Sequence, residues 1–318
     1  MTTAFLFPGQ GSQRIGMGRH LAERYPEIVG PLFRTADDAL GIELSRLCWE
    51  GPEEELRRTE ITQPAVYVVS LATLRVLEAH GLRPSVVAGH SLGEYTALVA
   101  AGVLDWVEAL GLVRRRGLLM AAVQATTAGT MLAVIGPAPE QVEKICAIAQ
   151  EASGEVVEVA NYNDDTQTVV SGTVAGIAAF HDHAGGLEPA PRLVPLDVGA
   201  PFHCSLMEPV ETEFAVDLAA VTFADPKLPV VANTTARPVT SGEEARAALR
   251  AQLAGSVRWR PSLTTVVDHG VDTFVEVGPG RVLSGLCRTT YPDLAVHATA
   301  DGRRVDRTIQ ALRPATAH

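Results

Sequence analysis

Lysine is almost missing from this chain. Of its 26 basic residues only Lys144 and Lys227 are lysines, against 37 acidic residues, for a formal charge of −11. Such a surface repels polyanions, so no nucleic-acid partner is expected. Cysteine is sparse as well: Cys48, Cys146, Cys204 and Cys287 lie far apart with no C-x-x-C pair. That argues against a zinc site or a disulfide framework and fits a reducing cytoplasm. The opening MTTAFLFPGQGSQ has no basic leader and a short apolar run, so it does not read as a signal peptide. Nor is there a long hydrophobic run. The longest uncharged stretch, residues 117–139, is interrupted by Gln, Thr, Gly and Pro and reads as a helix end, a loop and a strand, not a membrane span. Aromatic residues make up only 5% and charged residues 20%, yet hydrophobic residues reach 47%. That excludes disorder and supports a sizeable core. At roughly 150 residues per domain, 318 residues suggest two domains, or one large domain with an insert.

What is present divides into two rhythms. Residues 4–7 and 85–88 are short apolar runs, each stopped by Gly or Pro, and read as buried strands. Helical patterns occupy 17–40, with a break expected near Gly30-Pro31, then 62–80, opened by Thr62-Gln63-Pro64, then 94–101 and 105–123. Strands alternating with helices predict a parallel α/β sheet. Between 128 and 197 the order becomes strand (130–135), helix (139–151), two strands (156–161 and 167–171) around Asn163-Asp164-Asp165, helix (174–184) and strand (192–195). This β-α-β-β-α-β order is ferredoxin-like. The predicted class is therefore α/β: a hydrolase-like parallel-sheet domain from 1–127 and 198–318, with a ferredoxin-like small domain inserted at 128–197. Beyond the insert, helices are expected at 206–220, 243–254, 261–269 and 281–288, with strands at 229–233 and 273–277.

The sharpest local signal is Gly89-His90-Ser91-Leu92-Gly93, a G-x-S-x-G elbow between a predicted strand and helix. Small residues at both ends let strand and helix approach. The turn exposes the Ser91 hydroxyl, and the helix N-terminus offers amides to a developing oxyanion. A serine nucleophile needs a base. Among nine histidines, His203 in Gly199-Ala200-Pro201-Phe202-His203 is placed just after the insert and follows Ser91 in chain order, but the residues alone do not decide for it. His90 beside the serine reads as a turn-packing residue. Gly9-x-Gly11 is a near miss to a dinucleotide fingerprint, with Arg at 14 in place of the third glycine.

In chain order come FPGQGSQ (7–13), TQPA (62–65), AGHSLGEY (88–95), Arg114-Arg115-Arg116-Gly117 followed by Met120, Pro201-Phe202-His203, and EVGPG (276–280). Together these resemble the malonyl-CoA:acyl carrier protein transacylase family, which includes the fatty-acid-synthase enzyme and the acyltransferases of polyketide synthases. The resemblance runs along essentially the whole chain.

The resemblance implies a Ser–His dyad with Ser91 as the acylated nucleophile and His203 as its base, and no triad acid. It implies an oxyanion hole from the backbone amides of Gln10 and Leu92, and Gln252 in RAQLAGSVRW as a residue that helps place the histidine. Arg116 would pair with the free malonyl carboxylate, Gly117 and Met120 setting the register within the Arg triplet, and Met120 would line the same pocket. Phe202 and Leu92 resemble malonyl-selecting polyketide enzymes. Cys204 reads as a packing residue. The implied activity is ping-pong transfer of malonyl from coenzyme A to the phosphopantetheine thiol of an acyl carrier protein, with no permanently bound cofactor or metal and no membrane. The alternatives are a trans-acting polyketide acyltransferase for another acyl unit, or a proofreading hydrolase, which would have no use for Arg116. Because the carrier is expected to be acidic, its docking would need a local basic patch, for which Arg14, Arg192, Arg281 and Arg288 are candidates.

Overall fold

The computed structural model describes residues 2–313, with the side chain of residue 125 left aside. The first stretch contains β1 (Thr3–Phe7), α1 (Arg19–Arg24), α2 (Pro26–Leu40), α3 (Leu44–Glu50), α4 (Glu53–Arg57), α5 (Thr59–Ala79), β2 (Val86–Gly89), α6 (Gly93–Ala100) and α7 (Trp106–Thr126). Then come β3 (Gly129–Ile135), α8 (Pro139–Ser153), β4 (Val157–Tyr162), β5 (Gln167–Thr173), α9 (Val174–His183) and β6 (Arg192–Pro195). The chain closes with α10 (Glu208–Ala219), β7 (Val230–Val231), β8 (Pro238–Val239), α11 (Gly242–Ala251), α12 (Trp259–Asp268), β9 (Thr273–Glu276), α13 (Val282–Thr290), β10 (Ala295–Ala298) and α14 (Gly302–Leu312).

The large sheet runs β10-β9-β1-β2-β7-β8, parallel except for the β7–β8 pair. Every residue of β1, β2 and β9 is buried, as expected of central parallel strands covered on both faces. The small sheet runs β4-β5-β3-β6, antiparallel throughout, which is the ferredoxin-like order. Alternation along β3 divides its side chains. Leu132 and Val134 join a separate small core under α8 and α9, while Met131 and Ala133 face the main core. The β4 edge is fastened to the large unit by backbone bonds from Tyr162 N to Val257 O (2.9 Å) and Val257 N to Ala160 O (2.8 Å).

Several elements differ from the sequence reading. The chain breaks at Tyr25 (φ −129°), not at Gly30-Pro31, and α2 runs through Pro31. The carbonyl that Pro31 leaves without its donor belongs to the exposed Glu27, where water can serve it. Helix α5 likewise opens at Thr59, so Pro64 lies inside it. The proline strands Glu60 O, and Arg114 Nη1 supplies the missing donor. Helices α3 and α4 and the closing β10 and α14 were not anticipated. For α14 the signal was present: Asp301 caps the Arg304 amide, and Val305, Ile309 and Leu312 share one face.

Where α6 leaves β2 and crosses β1, backbone meets backbone closely. A Cβ at Gly89 would sit 1.9 Å from the Gly93 carbonyl carbon, and one at Gly93 would sit 2.0 Å from Phe7 O. Neither neighbour can yield, because both are backbone. Gly93→Ala should therefore lower Tm by many degrees or abolish soluble expression, while Gly111→Ala, which meets nothing within 4 Å, should leave Tm within about a degree or raise it slightly. Thermal unfolding of the two variants side by side checks this.

Candidate active site

The elbow that these glycines permit holds Ser91 at φ 50°, a left-handed conformation costly for serine. The turn is braced from outside. Asn233, just past β7, accepts from the Ser91 amide (Oδ1, 2.6 Å) and donates to Gly89 O (Nδ2, 2.6 Å), so one side chain spans the turn. Gln252, the C-cap of α11, donates from Nε2 to Ser91 O (2.9 Å) and to Glu94 Oε2 (2.7 Å). Glu94 Oε2 also accepts from the Asn233 amide (3.1 Å).

Ser91 Oγ lies 2.7 Å from His203 Nε2. His203 is itself at φ 60°. Its Nδ1 lies 2.8 Å from Gln252 O. A carbonyl only accepts, so Nδ1 carries the proton and Nε2 is free to accept from the serine. Burial, and then the nearby Arg116, hold the imidazole down to about 3, so it is neutral at physiological pH. A hydroxyl facing a neutral imidazole of fixed tautomer is arranged for nucleophilic chemistry.

Arg116 reaches this pair from α7 and is 1% exposed. Its Nη2 donates to Ser91 Oγ (3.0 Å) and to Gln252 Oε1 (3.1 Å), and its Nη1 donates to Gln63 Oε1 (2.8 Å). Its Nε is buried without a partner, and among the described residues no carboxylate comes within ion-pair distance of it. Gly117 explains the approach: its missing side chain lets α7 press against the backbone of Glu60 on α5. The other two arginines of the triplet point elsewhere, Arg114 to Glu60 O and Arg115 to Glu213 and Asp217 at the surface.

A cavity of about 650 Å³ opens from this cluster between the two sheets. Ser91, His203, Arg116, Met120, Phe202 and Gln10 line it at the base. The cleft face of the small sheet, including Met131, Ala133 and Val169, forms an apolar wall. Leu92 and Gln252 stand behind the lining, the former offering its backbone at the start of α6. Neither the Gln10 nor the Leu92 amide meets an acceptor among the described residues. Gln252 contacts His203 through its main-chain carbonyl, while its side-chain amide serves Ser91, Glu94 and Arg116. Gln63, Glu94 and Asn233 were not singled out from the sequence. The first two lie inside the TQPA and AGHSLGEY motifs; Asn233 had no signal beyond a polar residue at the end of an apolar run.

His90 turns from Ser91 to Asn163 Oδ1 (3.0 Å) and tilts against Trp259. Cys204 is buried, its thiol directed at Pro201 O and pushed up to about 11, so it packs and does not compete as a nucleophile. Of the candidate docking arginines, Arg14 and Arg192 stand at the cavity mouth, though Arg14 also reaches Ala300 O. Arg288 folds back onto Ser284 O and Val296 O and, like Arg281, lies outside the cavity lining. No helix among the described residues is long and apolar enough to cross a membrane.

Comparison with known proteins gives one family. The acyl transferase domain model matches residues 4–310. The chain is 43% identical over 303 residues to the malonyl CoA-acyl carrier protein transacylase of Haemophilus influenzae, covering 94% of this chain and 95% of the other. It is 39% identical over 284 residues to a polyketide-biosynthesis malonyl CoA-acyl carrier protein transacylase of Bacillus velezensis, covering 89% and 94%. Among solved structures, a malonyl-transacylase in complex with its type II polyketide acyl-carrier protein superposes with a TM-score of 0.92 at 38% identity, covering 98% of this chain and 100% of that one.

The buried neutral histidine has a consequence for stability. The unfolded chain protonates near 6.5 and the folded chain only near 3, so between these values the unfolded state binds more protons. His203's contribution is therefore complete above pH 6.5 and lost as pH falls toward 3. His203→Asn should flatten the acid-side decline of Tm between pH 6.5 and 4, measured by thermal unfolding in matched buffers.

Proposed function

The chain belongs to the acyl transferase family, and from that membership we propose that it moves a malonyl group from coenzyme A to the phosphopantetheine thiol of an acyl carrier protein, for fatty-acid or polyketide synthesis. The observation that carries the reading is Arg116: a fully buried cation against the nucleophile, with an unpartnered Nε–H and no carboxylate of its own. A buried charge left in that state is expensive, and a substrate carboxylate of matching shape relieves it. An acetyl group would not, and a hydrolase of monoacyl chains would have no use for it.

In this reading Ser91 Oγ attacks the thioester carbonyl as its proton passes to His203 Nε2. The amides of Gln10 and Leu92 hold the oxyanion. Collapse expels the coenzyme A thiolate, which takes the proton from His203 and leaves a malonyl ester on Ser91. The carrier thiol then repeats the steps in reverse, giving ping-pong kinetics. Gln252 O keeps the imidazole in its reactive tautomer, and Met120 and Phe202 close the acyl pocket. Coenzyme A and phosphopantetheine enter as substrate arms, and the chemistry calls for no resident cofactor. The cytoplasm is the proposed setting, supported by four buried, unpaired cysteines.

Three measurements test this. Mass spectrometry after mixing with malonyl-CoA should show a malonyl ester on the Ser91 peptide, absent in Ser91→Ala. Arg116→Ala should cut malonyl loading by about 100-fold or more while acetyl loading falls far less; an unchanged malonyl-to-acetyl ratio would remove Arg116 from the carboxylate role. For the carrier, Arg192→Glu at the cavity mouth should raise its KM several-fold and leave self-acylation by malonyl-CoA nearly unaltered, read from initial rates at low salt.

A further inference from the structure

Glu94 has no part in the transfer steps above, yet it is a carboxyl 1% exposed at the centre of the site. Its two hydrogen bonds, from Gln252 Nε2 and the Asn233 amide, both land on Oε2, and neither donor is charged. Among the described residues Oε1 receives no hydrogen bond. A single amide, that of Gln252, lies between this carboxyl and Arg116: Oε1 of the glutamine accepts from Arg116 Nη2 while its Nε2 donates to Glu94.

The other groups around Glu94 are neutral. From α5 comes the Gln63 amide that holds Arg116. Tyr95, on its own helix, is raised by burial and keeps its phenol proton. His203, across Ser91 Oγ, is held in the neutral form, and His90 is lowered by burial. Arg116 is thus the fixed charge that faces Glu94, and the resting site balances one cation against one carboxyl. A malonyl carboxylate on Arg116 would leave two anions for one cation in a buried space, where like charges favour protonation of one acid.

We propose that Glu94 is the charge-balancing residue of malonyl recognition: ionised while Arg116 is unpaired, it takes a proton from solvent onto Oε1 when the malonyl carboxylate occupies Arg116. This rests on the reading of the site as a malonyl acceptor. Burial already pushes the Glu94 carboxyl up to about 7, so a modest further push carries it across neutral pH. The malonyl carboxylate remains ionised throughout that range. The proton requirement belongs to malonyl alone, since an acetyl group brings no second anion and calls for no proton.

The test uses malonyl-pantetheine, which lacks the titrating phosphates of coenzyme A, mixed with the enzyme in weak buffer at pH 7.5 with an indicator dye. Malonyl-enzyme is counted in parallel by mass spectrometry. The wild type should take up about half a proton or more per malonyl-enzyme formed, and none with acetyl-pantetheine. Glu94→Gln can keep both accepted bonds through its amide oxygen, and should show no uptake per malonyl-enzyme formed. Equal uptake in Glu94→Gln, or malonyl-enzyme without uptake in the wild type, overturns the inference. If the wild type forms no malonyl-enzyme at all, the function assigned above fails first. If the variant does not fold, the wild-type malonyl-to-acetyl loading ratio decides: it should fall up to tenfold per pH unit above about 7, and a flat ratio overturns the proposal.

Discussion

A guanidinium buried without an ion pair organises the centre of this protein. Arg116 is held directly by neutral acceptors, the Gln63 and Gln252 amides and the Ser91 hydroxyl, so its charge is oriented without a carboxylate in contact with it. That single constraint shapes what surrounds it. Helix α5 must carry Gln63 close to α7, which Gly117 permits and which Arg114 secures by serving the carbonyl that Pro64 leaves open. The same charge depresses the basicity of His203, so the resting imidazole is a weak base. A carboxylate on Arg116 would relieve that depression while the serine proton is in transit. On the proposed function, selection of a diacid and activation of the base would be two readings of one electrostatic balance.

Ser91 and His203 share their supports. Both sit in left-handed backbone conformations, and both are held by Gln252, one through its side-chain amide and one through its main-chain carbonyl. Asn233 ties the strained turn to the end of β7, and Glu94 ties Asn233 to Gln252. Strain at Ser91 is therefore opposed by hydrogen bonds from two separate parts of the chain, which Glu94 links to each other.

Much of this was legible in the residues. Apolar runs stopped by Gly or Pro marked the parallel strands, because strands covered on both faces cannot alternate. The β-α-β-β-α-β rhythm marked the insert. The G-x-S-x-G elbow is legible because its glycines answer to a steric demand made within a few residues. Prolines misled: Pro31 and Pro64 read as helix boundaries, yet one freed carbonyl belongs to an exposed residue open to solvent and Arg114 donates to the other, and that second remedy lies about fifty residues away. The choice of Arg116 over Arg114 and Arg115 rested on family resemblance, since three adjacent arginines on a helix have no local property that separates them. Asn233 was illegible for the same reason: its role depends on where β7 lies beside β2, a fact of topology.

The backbone bonds between the β4 edge and Val257 bear on how such a protein can be rebuilt. Val257 lies five residues beyond Gln252, whose carbonyl fixes the histidine tautomer. One short stretch, 252–257, therefore both anchors the small sheet and aligns the His203 imidazole. An insert transplanted from a relative, however well it folds, arrives with its own edge strand and its own preferred register against that stretch. A chimera that exchanges the wall of the cavity must exchange residues 252–257 with it, or the new wall will be seated at the expense of the imidazole's aim.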